Sequence, residues 1–492
     1  MNIQLQVLGS ALRAVAEEMG AVLIRSAFSA NIKERRDCST ALFDPTGRMI
    51  AQAEHIPVHL GAMPEAVAAV RERDPAPGEI FVVNDPFTGG THLPDITLVS
   101  RTEAGFAVSR AHHADVGGME PASLPAGSTT IYQEGLVIPP MVLSDDLLAL
   151  MVANMRNPDE RRGDLRAQVA AHYLAERRVA ELCERRGRDL VLQAMDELFA
   201  YSARSVRAAI RELPDGRYEA SDRLEPANGE LTIRAAVTVS GDEIDIDFAG
   251  TSPQHEGNLN CPLAVTRSAS YFVVRALTVP DLPACGGAYA PVSVQAEPGS
   301  LLNALPPAAV VAGNTETSSR IVDVLFRALA GAVEVPAQGQ GTMNNVTFGN
   351  RRFTYYETIG GGQGACPEGD GQSAVHVAMS NTLNTPVEAL ELTYPMRIEH
   401  YAVRLGSGGA GQFRGGDGVV RAIRVLEPCR LSILSERRAY APGGVRGGEP
   451  GAAGRNLLNG EELPAKVTRS LTAGDVLTIE TPGGGGYGEP SA

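Results

Sequence analysis

Two short segments pair an imidazole with a carboxylate three residues on: His92-Leu93-Pro94-Asp95 and His112-His113-Ala114-Asp115. Each lies at the edge of an apolar, strand-like run, so both units can converge on one divalent ion. Imidazole with carboxylate suits Zn, Mn or Fe. Five of the nine histidines crowd into one stretch: His55, His59, His92, His112 and His113. Pro94 stiffens the first unit, while Gly89-Gly90 and Gly117-Gly118 let backbone approach closely on either side. On a strand, His113 and Asp115 point one way and His112 the other. In a turn, His112 and Asp115 converge instead, so the choice between His112 and His113 as ligand stays open. His55-Ile56-Pro57-Val58-His59 offers two more imidazoles across a proline, as extra ligands, substrate contacts or plain core polar groups.

Other clusters could orient a substrate. Gly313-Asn314-Thr315-Glu316-Thr317-Ser318-Ser319-Arg320 sits where a loop enters a helix, and Thr317 or Ser318 suits its N-cap. Gln338-Gly339-Gln340-Gly341-Thr342-Met343-Asn344-Asn345 puts side-chain amides on flexible backbone, apt for an amide or carboxylate ligand but equally for turns. The six cysteines are scattered, without a Cys-x-x-Cys pair, which reads as reduced thiols in a cytoplasmic protein. Cys38 alone has arginine neighbours able to depress its pKa, set against the simpler reading of a buried structural thiol.

The elements that must position these residues begin with a helix. Leu8, Leu12, Val15, Met19, Val22 and Leu23 stripe one face of it within Gln4 to Phe28. Thr40 to Phe43 and Met49 to Ala53 read as strands about an Asp44-Pro45-Thr46-Gly47 turn. A short helix follows from Pro64 to Arg73. Ile80 to Val83 and Ile96 to Val99 read as buried strands flanking the loop that carries His92. The longest helical region is Asn157 to Leu213, with a solvated charged face. Leu231 to Val239 and Ile244 to Phe248 form a hairpin, and Ser318 to Leu329 a helix. Beyond Val335, glycine clusters alternate with short β-type runs such as Leu431 to Leu434 and Val476 to Ile479, which predicts a β-rich sandwich or barrel with many tight turns. The fold class expected is α+β, in regions 1–215, 216–335 and 336–492.

Composition narrows function by exclusion. A net charge of -15 argues against nucleic-acid or anionic-membrane partners. No apolar run reaches the roughly 20 residues of a membrane span, and Met1 to Leu8 has no signal-peptide pattern. There is no P-loop, no Gly-x-Ser-x-Gly elbow stands out, and no Gly-x-Gly-x-x-Gly follows an N-terminal strand, so nucleotide chemistry would fall to another chain.

Several segments together carry a family likeness. Glu34-Arg35-Arg36-Asp37-Cys38-Ser39, Asn84 through Asp95, His112 through Gly118, Gly313-Asn314-Thr315-Glu316, Gly360 to Gly364 followed by Asp370-Gly371, and the closing Thr481 to Gly488 resemble the hydantoinase B/oxoprolinase family over nearly the whole chain. The resemblance implies a larger hydantoinase A-type partner that binds ATP, and a hetero-oligomer hydrolysing a cyclic imide or lactam such as N-methylhydantoin or 5-oxoproline. Related assemblies carboxylate ketones, and a non-catalytic scaffold for the A-type partner is the third reading. The resemblance also implies a metal held by His92, Asp95 and His112. In that scheme His113 or Asp115 shuttles a proton, and Asn314, Glu316 and Gln340 orient the ring.

Overall fold

The computed structural model describes residues 3–53 and 56–490, so His55 lies outside the described residues. Helix α1 (Ile3–Ser26) runs beside a six-stranded antiparallel sheet built from β1 (Cys38–Phe43), β2 (Met49–Ala53), β3 (Ile80–Val83), β4 (Asp95–Thr102), β5 (Gly105–His112) and β6 (Met141–Val142). Its order is β2-β1-β5-β4-β3-β6. Side chains alternate between its faces, as the pleat demands. Leu42, Ala107 and Ala111 pack with Leu8, Leu12 and Ala171 on the helical side. Ala41, Phe43, Phe106 and Val108 turn to the opposite core.

Short helices α2 (Ala30–Lys33), α3 (Met63–Arg71) and α4 (Asp145–Ala153) flank this sheet in the sequence. The long helical stretch is two helices, α5 (Pro158–Arg186) and α6 (Arg188–Ile210). The break falls at Gly187, whose φ of +85° is one that glycine adopts without strain. A second sheet, β7 (Gly216–Leu224), β8 (Leu231–Ser240), β9 (Glu243–Asp247) and β10 (Val292–Gln295), packs against α7 (Leu263–Thr278) and α8 (Ser318–Leu329). The largest apolar cluster takes residues such as Phe43, Val237, Leu325 and Leu434, so all three predicted regions share a core.

The C-terminal part carries β11 (Asn345–Gly349), β12 (Thr354–Glu357), α9 (Val387–Thr393), β13 (Met396–Arg404), β14 (Gly418–Val425), β15 (Cys429–Leu434), β16 (Arg455–Leu458), β17 (Glu461–Leu463), β18 (Lys466–Leu471) and β19 (Val476–Glu480). They form two sheets, β12-β11-β15-β18 and β13-β14-β19-β16-β17. Phe348, Leu431 and Ile433 of the first meet Ile423, Leu477 and Ile479 of the second, which makes a sandwich. The α+β expectation holds.

The glycine clusters are more than turns. Extended segments around residues 360–365, 407–416, 443–451 and 482–488 lie against one another backbone to backbone. Gly362 N donates to Pro482 O, Gly484 N to Gly416 O, Gly416 N to Gln363 O and Gly485 N to Gln338 O, at 2.8–2.9 Å. A Cβ on Gly484 would stand 2.0 Å from the Gln363 carbonyl oxygen, and one on Gly362 2.0 Å from that of Gly416. Glycine is needed there for space. No described helix is long and apolar enough to cross a membrane.

Candidate metal centre

Register brings the first two residues together. Asp95 opens β4 directly opposite His112, which closes β5, and such cross-strand neighbours share a face. His92 reaches the same point from the preceding loop, where Asp95 N donates to His92 O at 3.1 Å. Gly89 permits that loop: its φ is +101°, and a Cβ would meet Ala66 N at 2.4 Å. His92 Nδ1 lies 3.1 Å and His112 Nδ1 3.3 Å from the Asp95 carboxylate. Candidate ligand atoms of the three residues all lie within 4.8 Å of one another.

His59 ends a 3₁₀ turn (Pro57–His59) and places Nε2 3.4 Å from Asp95 Oδ2. Its Nδ1 is held 2.9 Å from Ser39 Oγ on β1. Thr91 Oγ1 donates to Asp95 Oδ2 at 2.5 Å. His59, His92, Asp95 and His112 are all buried. Burial alone would raise the Asp95 carboxyl. The His92 imidazole and hydrogen bonds from His112, His59 and His92 override it and hold Asp95 well below the usual carboxylate range. Burial lowers the His112 imidazole, against the pull of Asp95. An ionised carboxylate beside a neutral imidazole is the protonation state that metal binding needs.

The donor set passes a simple fit test. His92 Nε2 and His112 Nε2 are both buried without a hydrogen-bond partner, a costly condition that a ligand would relieve. Beside them is a cavity of about 20 Å³, also lined by Asp37, Asn314, Thr315 and Tyr356. Two imidazoles and one carboxylate fit a borderline divalent ion and leave positions for other ligands.

The remaining candidates disperse. His113 lies past the strand end on the helical side, with Nε2 2.8 Å from Gln168 Oε1 of α5. Burial lowers it to about 4. Asp115 accepts from Gly117 N, Ala122 N and both the backbone and Nη1 of Arg156 at 2.8–3.0 Å. It braces loops and is not among the residues that line the cavity. Asn314 lines the cavity. Glu316 accepts from Met343 N and Asn345 Nδ2, at 3.2 and 2.7 Å. Gln340 accepts from Asn344 Nδ2 at 3.0 Å and stands against Gly361, outside the cavity wall. Cys38 is buried, and desolvation with Asp37 pushes its thiol up despite Arg36, which fits the reading of a buried structural thiol.

Sequence reasoning missed the far wall. Tyr356 of β12 stacks on His112, centroids 4.7 Å apart and planes 22° apart. Its hydroxyl donates to Asn345 Oδ1 at 2.9 Å, and the buried Arg35 guanidinium lies 4.7 Å from its ring centroid. Arg35 Nη1 donates to the Tyr356 carbonyl at 2.6 Å, clamping the C-terminal sheet onto the cluster. Residues 313–317 form a π-helical turn, a form concentrated at functional sites. It leaves Asn314 Oδ1 and Thr315 Oγ1 buried and unpartnered. Nothing in the local sequence announces Tyr356. Asp37 lies in a segment that carries the family likeness, where Cys38 is the more conspicuous residue.

With this geometry in place, likeness to known proteins becomes informative. A family model described as hydantoinase B/oxoprolinase matches residues 1–490. The protein 5-oxoprolinase 1 of Arabidopsis thaliana is 38% identical over 99% of this chain, which spans only 42% of that relative. A putative B-type D-/L-hydantoinase subunit of Pseudomonas sp. (strain NS671) is 32% identical over 99% of this chain and 90% of its own. The crystal structure of an ATP-dependent caprolactamase from Pseudomonas jessenii superposes with a TM-score of 0.90, at 30% identity, covering 99% of this chain and 91% of that one.

Proposed function

The chain belongs to the hydantoinase B/oxoprolinase family, and from that premise we propose that it is the metal-bearing subunit of an ATP-dependent cyclic amide hydrolase. The observation that carries this reading is the convergence of His92, Asp95 and His112 on a small buried cavity, with two imidazole nitrogens left unpartnered. A partner of the hydantoinase A type supplies ATP, and the pair works as a cytoplasmic hetero-oligomer. The hydantoinase relative of matching length supports a separate partner. The chain spans about two fifths of the 5-oxoprolinase relative.

His92, Asp95 and His112 would hold the ion. When bound, a Zn, Mn or Fe ion supplies Lewis acidity, which polarises an oxygen and eases proton loss from water. The chain's own groups do the rest. Activation at the ring carbonyl oxygen by the partner's phosphoryl transfer makes the carbon open to water. Asp37 borders the same cavity and is the acidic group there outside the ligand set, placed to take the proton of that water. The C–N bond then breaks, the ring nitrogen leaves as the amine, and phosphate is lost in turn to water. Asn314, on the π-helical turn, orients the amide, and Glu316 supports that turn from behind. His113 and Asp115, engaged elsewhere, hold the framework.

The test combines metal analysis with turnover. The purified chain should carry about one divalent ion. Mixed with its ATP-binding partner, ATP and hydantoin or 5-oxoproline, it should open the ring. His92→Ala and His112→Ala should each lose the metal and slow turnover at least about 100-fold. Undiminished product formation by His92→Ala removes the metal assignment. A metal-free chain beside a partner that is fully active alone makes it a scaffold instead.

A further inference from the structure

His59, His92, Asp95 and His112 are buried, and the cavity beside them has room for about one water at 20 Å³. A larger molecule can reach them only if a wall moves. Most walls are held in regular structure: the strands of Asp95, His112 and Tyr356, the π-helical turn that runs into α8, and the 3₁₀ turn of His59. One wall is different. Met379, Ser380, Asn381 and Thr382 line the cavity from a stretch, 376–386, that contains no helix or strand.

That stretch is pinned at its ends and loose between them. Gly361 and Val375 exchange backbone bonds at 2.9 Å, and Leu383 N donates to Arg35 O at 3.3 Å. Between these anchors, residues 376–380 and Thr382 make no backbone–backbone bond to any other described segment. Ser380 N donates to Val377 O at 3.2 Å, within the stretch itself. Side chains tie it down instead. His376 Nδ1 is hydrogen-bonded to Ser380 Oγ, and its Nε2 lies 3.4 Å from Thr382 Oγ1. Thr382 Oγ1 also meets Thr358 Oγ1 and Arg35 Nη2. Ala374 and Ala378 hold φ of +57° and +54°. An L residue is strained there, and such strain collects in segments that switch.

The same stretch borders a second space. His376, Val377 and Ala378 wall a hollow of about 340 Å³, together with Phe272, Phe326 and Gln372. That volume suits a small molecule. One thickness of chain parts it from the cavity, since Ala378 borders the hollow and Met379 the cavity. The two are also joined by a bond: Ser319 Oγ, on the hollow, donates to the carbonyl of Thr315, on the cavity, at 3.1 Å.

We propose that residues 376–382 are a strap that swings aside to join the hollow to the cavity, and that the hollow is the vestibule for a small, largely apolar molecule. That the guest is a cyclic amide rests on the reading of the metal centre given above; the strap does not. Opening breaks the side-chain ties and releases the strain at Ala378, and closing shuts bulk water out of the cluster.

Met343 lines the cavity, and the cysteines other than Cys366 are buried. In the full chain carrying Cys366→Ser and Met343→Cys, the rate of alkylation by iodoacetamide, followed by mass spectrometry, reads how often the strap opens. His376→Ala cuts two ties and should speed alkylation at least about 5-fold. Ala378→Gly relieves the strain of the closed form and should slow it at least about 3-fold. Gln372→Trp, at the exposed rim of the hollow, should slow it as well. Thr382→Val, which cuts the ties to His376 and Thr358, replaces His376→Ala should that variant fold poorly. A rate that the strap variants leave unchanged, or move in one direction, overturns the strap. A rate indifferent to Gln372→Trp overturns the vestibule. None of these readings needs a metal. A purified chain without a divalent ion defeats the metal reading and leaves the strap standing, whereas unmoved alkylation defeats the strap and leaves the metal reading standing.

Discussion

Burial pushes the Glu316 carboxyl up to about 7; a hydrogen bond with Thr342 opposes the shift and the Glu436 carboxylate adds to it. In the unfolded chain the same group titrates near 4.5. Between those values the native state keeps a proton that the unfolded state has lost. Its contribution to stability therefore falls as pH rises from about 4.5 to 7, and is level above that. The full swing is about 3 kcal/mol. Glu316→Gln keeps an oxygen for Met343 N and Asn345 Nδ2 but cannot ionise. It should melt with wild type near pH 5 and a few degrees above it at pH 8, by calorimetry at both pH values. Curves that run parallel across the range would remove Glu316 as the source. At this scale the cluster residues were legible, because a three-residue spacing beside a strand edge is itself a geometric statement. Tyr356 was not, and Thr315 was legible only as part of a polar cluster at a helix entry. One reaches His112 through a strand more than two hundred residues away, and the other through a π-helical turn that a sequence rich in Thr and Ser presents simply as a helix cap.

Strands and helices with one-sided or continuous apolar patterns were readable: β2, β3 and α8 match their expected spans, and α1 and α3 do so within two residues at each end. Helix α7 escaped notice, since Thr266, Ser268 and Ser270 interrupt its apolar face. Each of these hydroxyls is buried and satisfied by a backbone carbonyl. The glycine clusters read as turns, because sequence shows that a side chain is missing and not what fills its place. The packing gives a sharp expectation. Gly484→Ala sets a Cβ against a carbonyl that cannot move aside, and should lower stability by at least about 3 kcal/mol or prevent soluble expression. Gly369, in the same region with nothing within 4 Å of a Cβ, should accept alanine with little change. Equal melting of the two variants by circular dichroism would show that the segments slide apart easily.

Across the whole molecule the cavity draws on residues from Asp37 to Thr382, so no one of the three predicted regions contains the site. Tyr356 and Arg35 seal it from opposite ends of the chain, and the buried ion pairs of Glu436 with Lys466 and Arg320 tie α8 to the C-terminal strands. One of the only two lysines is spent there. Sequence conveyed the α+β class and the neighbourhood of the His-Asp cluster, while the closure of distant segments over it depended on contacts no local pattern encodes. That closure has a consequence for biosynthesis. Segment 482–488 threads among glycines made as early as Gly362, and strand β19 must pair with β14 and β16. A ribosome that has translated the His-Asp cluster, the π-helical turn and Tyr356 still holds a chain whose far wall has no keystone. The far wall can therefore close fully only once residues 482–488 are in place among those glycines.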